Sequence, residues 1–193
     1  MYRRTILAGA AIGAVALSLL AGGVTAQQEK GKGGGKGPPQ PQQIVKKPWK
    51  EEIVGSWRLL IIDGIKADGT HAPLYGPNPK GVAMFSPDGH YSIQIMRDVR
   101  PKFAANDRLK GTPAEHKAAA EGMITYFGTY TIDEPSKTLS MRVEGSSFPN
   151  WEGTTQKRMV SALEADELVY TNDGGAAPSL GNQRNEVAWH RIK

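Results

Sequence analysis

An all-β fold is predicted: an eight-stranded antiparallel barrel with one short helix. Three observations carry the prediction. Eight β-rich segments follow one another at close spacing after residue 50, turn residues separate most of them, and a single stretch has the parts of a helix start. A barrel of eight strands can hold one small ligand.

The first 50 residues stand apart from that pattern. Residues 1–26 read as a cleaved signal peptide, with Arg3 and Arg4 as a positive n-region, an apolar run from Ile6 to Ala21, and Val24-Thr25-Ala26 as a small-residue processing site. Arg3-Arg4 also fits a twin-arginine signal, so the sequence leaves the general and the twin-arginine routes both open; export to a periplasmic or extracellular location is the expectation. Residues 27–50 are Gly, Pro, Gln and Lys with few apolar side chains, too little to offset the entropy of ordering, and read as a disordered tether. Residues 51–193 form the barrel domain.

Within the domain, Ile53 to Ile65 is the first strand, with Trp57, Leu59 and Ile61 on one face and Arg58, Leu60 and Ile62 on the other. Ala67-Asp-Gly-Thr70 ends it, and Pro73, Pro77 and Pro79 make the next stretch a loop. Gly81 to Ser86 and His90 to Arg97 flank Pro87-Asp-Gly89, a hairpin signature. Thr112-Pro-Ala-Glu115 supplies an N-cap, a proline at N1 and a capping-box glutamate, so a short helix runs on to Glu121. Strands resume at Thr125 to Ile132, Thr138 to Glu144, Thr155 to Leu163, Glu167 to Asn172 and Asn185 to Ile192.

Charge and cysteine content narrow the function. The chain of 193 residues carries a formal net charge of +5, but leader and tether hold eight of the 24 basic residues. From residue 51 onward 16 basic residues face 18 acidic ones, so the domain has no basic footprint for nucleic acid. The tether lysines would make at most weak electrostatic contact with an anionic envelope surface. There is no cysteine, which excludes disulfides, a thiolate nucleophile and thiolate metal ligation. His71, His90, His116 and His190 form no metal-binding spacing, and no phosphate loop or dinucleotide fingerprint occurs; neither metal nor cofactor is expected.

Several separated motifs then resemble one family. Val54-Gly-Ser-Trp-Arg-Leu59, Pro77-Asn-Pro-Lys-Gly81, Ser86-Pro-Asp-Gly-His-Tyr91, Tyr126-Phe-Gly-Thr-Tyr130 and Val143-Glu-Gly-Ser-Ser-Phe-Pro-Asn-Trp-Glu-Gly-Thr154 are similar to the bacterial and fungal lipocalin-like domain proteins. The resemblance implies a small calycin-type barrel, and relatives of that architecture range from carriers to small-molecule isomerases. It also implies that Gly55 and Trp57 of the Gly-x-Trp motif pack at a closed barrel end against Arg191.

Candidate ligand contacts follow from strand alternation. Arg142 and Glu144 share one face of their strand, and Gln156 and Arg158 share one face of the next. Turned inward, these four would bind an anionic or carbonyl-bearing group; turned outward, they are solvated cross-strand charges. Phe148, Asn150 and Trp151 sit in an aromatic turn that either rims a cavity or plugs a barrel end, and Tyr91 and Tyr126 are candidate wall residues. The leading reading is an exported protein that binds a small, largely apolar ligand with a polar or anionic end. An enzyme reading, a cofactor-independent isomerase, cyclase or hydratase, would use Glu144, His190 or Tyr126 to move a proton. A third reading, an envelope interaction module, predicts a filled barrel.

Overall fold

The computed structural model describes residues 46–172 and 184–193. The expected leader, the expected tether up to residue 45 and the stretch 173–183 lie outside the described residues. Composition extends the tether to Lys50, whereas a helical turn, α1 (Trp49–Glu52), already opens there and Trp49 is buried in the core.

The strands are β1 (Gly55–Ile65), β2 (His71–Pro73), β3 (Lys80–Phe85) and β4 (His90–Met96), then, after helix α2 (Pro113–Glu121), β5 (Met123–Asp133), β6 (Thr138–Ser146), β7 (Thr155–Leu163), β8 (Glu167–Asn172) and β9 (Asn185–Arg191). Every neighbour pair is antiparallel, and β9 returns to pair with β1. Eight strands thereby close into the expected barrel. The ninth, β2, arises in the proline-rich stretch expected to be a loop. It pairs with the far half of β1, at Asp63 to Ile65, while β3 pairs with the near half, at Gly55 to Arg58.

Bulges change which side chains face inward. The β1–β9 register shifts between Leu59 and Ile61, so Trp57, Leu59 and Ile62 are buried and Leu60 is 48% exposed. The face expected from strict alternation, Trp57, Leu59 and Ile61, is broken at its third member because a bulge inserts one residue without a partner. A second bulge lies between Phe127 and Gly128 on the β5–β6 pair. A Cβ at Gly128 would stand 2.0 Å from the Arg142 carbonyl oxygen, so the two strands approach there only because glycine has no side chain.

Inward-facing residues fill the barrel: Trp57, Ile93, Leu139, Met141, Val143, Leu163, Leu168, Tyr170 and Trp189 are all essentially without solvent contact. Helix α2 starts as its sequence dictates. Thr112 Oγ1 accepts from the Glu115 N–H at 3.3 Å, and a Glu115 carboxylate oxygen accepts from the Thr112 N–H at 2.7 Å. No residue of α2 is buried, so it flanks the β4–β5 connection and adds nothing to the interior.

One end of the barrel is closed by Arg191. Its guanidinium lies 4.1 Å over the Trp57 ring and donates to the Val54 carbonyl at 2.8 Å, to a Glu52 carboxylate oxygen at 3.0 Å, and to the Glu52 and Ala165 carbonyls. Trp57 in turn donates its indole N–H to the Ile53 carbonyl at 2.9 Å. Gly55 adopts φ +132°, and a Cβ there would meet Arg191 Nη1 at 2.9 Å. The Gly-x-Trp motif and the last-strand arginine are thus one packing unit, as the resemblance implied.

Arg191→Ala leaves three carbonyls and the Glu52 carboxylate without their donor and uncovers a face of Trp57. It should destabilise the fold by about 2–4 kcal/mol, read as a lower urea midpoint at unchanged slope. Arg191→Lys should recover less than half, since an ammonium cannot serve diverging acceptors as a planar guanidinium does.

Candidate functional site

The register of β6 on β7 decides the site. Met141 stands opposite Gln156 and Leu139 opposite Arg158, and residues paired in register project to the same face. Leu139, Met141 and Val143 are buried, so Gln156, Arg158 and Val160 enter the interior with them. Arg142 and Glu144, on the opposite face of β6, are exposed. The four residues considered together from sequence are therefore divided: the apolar triplet of β6 takes the inside and sends its charges to solvent.

Arg158 is 4% exposed. It donates from Nη2 to Gln156 Oε1 and from Nη1 to the Lys157 carbonyl at 3.1 Å. The Tyr126 hydroxyl stands beside this guanidinium and beside the Tyr170 hydroxyl, and the Trp189 indole N–H points toward Tyr170 without reaching hydrogen-bond geometry. Two buried donors face this cluster unpaired, Gln156 Nε2 and Trp189 Nε1. In an interior made mainly of apolar side chains, each such donor costs about 1–3 kcal/mol.

A chain of aromatic contacts leads from the cluster to the end of the barrel opposite Arg191. Tyr91 meets Tyr126 edge-on at 5.9 Å, Tyr126 meets Trp151 at 5.1 Å, and Trp151 meets Phe148 at 6.1 Å. Phe148 and Trp151 belong to a single 3-10 turn, Pro149–Trp151 and its preceding residue, in the β6–β7 connection. Trp151 is buried, Phe148 half-buried and Asn150 exposed, so the two rings plug this end of the barrel while Asn150 faces away. Trp151 Nε1 has no hydrogen-bond partner either.

Tyr126 is the one catalytic candidate that reaches the interior. Glu144 is in solvent at the bulge, and His190 is exposed on β9. Burial raises the Tyr126 hydroxyl above the ordinary tyrosine range, with Arg158 opposing the rise, so it is held as a neutral phenol. Tyr170 and Tyr91 are raised for the same reason, and Tyr75 is pushed up to about 12. Tyr75 was not foreseen: it is buried in the loop before β3, beneath Arg97, whose guanidinium carbon lies 5.6 Å from its ring centre. Its only sequence signal is an aromatic residue among prolines and glycines. Tyr170 and Trp189 follow from the alternation of β8 and β9 once the inward face of either strand is known.

A separate groove of about 600 Å³ opens at the Arg191 end, between Lys46, Lys47, Glu51, Glu52 and the β7–β8 turn. It shares no residue with the interior cluster, and its arginine is committed to closing the barrel.

Comparison with known proteins agrees with the geometry. The profile of a family described as a lipocalin-like domain matches residues 54–192. The 4'-hydroxy-3'-methoxypropiophenone carrier protein ppsC of Aspergillus oryzae is 31% identical over 107 residues, spanning 52% of this chain and 96% of the carrier.

The raised tyrosines predict an alkaline limit to stability. An unfolded tyrosine releases its proton near 10.0, whereas Tyr75, Tyr91, Tyr126 and Tyr170 hold theirs higher in the folded chain. Their contribution is therefore complete below about pH 10 and is lost as pH rises toward the folded values. The melting temperature should fall steeply above about pH 10, and Tyr170→Phe, which has no proton to lose, should flatten that fall.

Proposed function

Because the chain belongs to the lipocalin-like domain family, we propose that it binds a small, largely apolar ligand inside the barrel. The ligand's polar end would lie on Arg158, Gln156, Tyr126 and Tyr170. One observation carries this reading: the interior holds a guanidinium and two unpaired donors where a purely structural core gains more from hydrocarbon. Replacing buried ionic groups by well-packed apolar ones is commonly neutral or stabilising, so a core that keeps them has another use for them. The related carrier protein bears the name of a flat aromatic compound with a phenol, a methoxy group and a ketone. A ligand of that kind matches an aromatic-lined interior with hydrogen-bond donors.

The interior side chains are closely packed, as an envelope interaction module that merely displays its loops would also require. A display module gives Arg158 and Gln156 no role, however, and so leaves their cost unexplained. In the ligand reading, entry displaces Trp151 and Phe148, which hang on one short turn and are held by ring contacts. Catalysis has less support, since Glu144 and His190 point away from the interior and Tyr126 is a protonated phenol. Export by the signal peptide, with the tether giving reach from an envelope surface, completes the proposal.

An aromatic ring buries about 150–250 Å², or about 4–6 kcal/mol at about 25 cal/mol per Å² before the costs of association. With two or three hydrogen bonds added, dissociation constants should fall in the micromolar range. Titrating the protein with aromatic ketones and phenols, 4'-hydroxy-3'-methoxypropiophenone among them, should change the fluorescence of Trp151 and Trp189. Gln156→Leu should weaken binding about tenfold, and Glu144→Gln should leave it unchanged. If no compound alters the fluorescence and none is carried over in native mass spectrometry, the interior does not bind ligands and the display reading takes its place.

A further inference from the structure

The interior cluster is unbalanced in two respects, charge and hydrogen-bond type, and both point the same way. Arg158 is a permanent cation with donors only. It is 4% exposed, and among the described residues no Asp or Glu forms an ion pair with it. Its side-chain acceptor, Gln156 Oε1, is neutral. Glu144, the carboxylate whose field reaches Tyr91, is itself exposed to solvent.

The hydrogen-bond inventory shows the same excess. Gln156 Nε2 and Trp189 Nε1 can only donate, and both are buried without an acceptor. The hydroxyls of Tyr126 and Tyr170 stay protonated because burial disfavours phenolate, so neither neutralises Arg158. The Tyr91 hydroxyl already donates to the Arg142 carbonyl, at 3.4 Å. What the cluster lacks is negative charge and acceptor oxygens. A carboxylate supplies both, with two oxygens and about four acceptor sites that suit the fork of an arginine.

We infer that the ligand is an organic oxyanion, in its simplest form a carboxylate on a flat or slender apolar body, with its charged end held by Arg158. This rests on the ligand-binding reading above and narrows it from a polar end to a charged one. The apolar body would lie among Tyr91, Tyr126 and Trp151.

The test compares matched acids and amides, which differ in charge and little in shape. The full chain is titrated by calorimetry with 3-phenylpropanoate and 3-phenylpropanamide, 4-methoxycinnamate and its amide, and octanoate and octanamide. For at least one pair the acid should bind at least about tenfold more tightly than its amide. Arg158→Met should abolish that preference, and Arg158→Lys, which keeps the charge without the fork, should retain part of it. Should Arg158→Met fail to fold, the wild-type acid-to-amide ratio and the lysine variant decide the matter alone. Equal affinity for acid and amide in every pair, or binding confined to neutral ketones and phenols, would overturn the oxyanion while leaving the ligand-binding reading standing. Absence of binding by every compound, charged or neutral, would remove that reading and this inference together.

Discussion

The barrel depends on the contact between its first and last strands. Arg191 gathers the carbonyls of Glu52, Val54 and Ala165 and covers Trp57, so one side chain ties α1, the start of β1, the β7–β8 turn and the end of β9. Sequence separation makes that contact expensive to form, since Arg191 and Val54 are 137 positions apart in the chain. Once formed, it joins β9 to β1 and removes the two terminal edges that the sheet would otherwise expose, which is how a closed sheet avoids pairing with other chains. Gly55 belongs to the same constraint, because a Cβ at that position would collide with the arginine that closes the barrel.

Closure fixes the direction of every inward side chain, and hence the chemistry of the interior. β6 commits its apolar residues inward, and the register with β7 carries Gln156 and Arg158 in beside them. Their cost is partly offset by the hydrogen bond between them and by the adjacent Tyr126 and Tyr170 hydroxyls. It is not fully offset, since Gln156 Nε2 and Trp189 Nε1 remain unpaired. Polar groups retained under those terms are what the proposed ligand site rests on.

Much of the fold was legible in the chain because local chemistry dictates it. The Pro87-Asp-Gly89 hairpin, the capping box of Thr112 and Glu115, and the Gly-x-Trp start all act through near neighbours, and all appear where expected. Half of the site was not legible, for a physical reason. Alternation says which residues share a face, but only the pairing between strands says which face is inside. Arg142 and Arg158 look alike in sequence, each sharing a strand face with a second polar residue, Glu144 or Gln156, and register alone separates them. The bulges at Leu59–Ile61 and at Phe127–Gly128 shift the alternation partway along a strand, which no count of apolar residues reveals. Tyr75 escaped because a loop residue has no period from which its burial could be read.

The divided edge of β1 has a mechanical meaning. On its β9 side the strand is paired from Trp57 to Gly64, but on the other side β3 leaves it after Arg58 and β2 joins it only at Asp63. On that side the intervening residues keep the hydrogen bond from the Leu74 N–H to the Ile62 carbonyl, at 3.0 Å, so this stave of the barrel is gripped more firmly along one edge than along the other. A hoop yields where its staves are least joined, so any swelling of the wall to admit a guest would concentrate its strain between β3 and β2 rather than spread it evenly around the circumference.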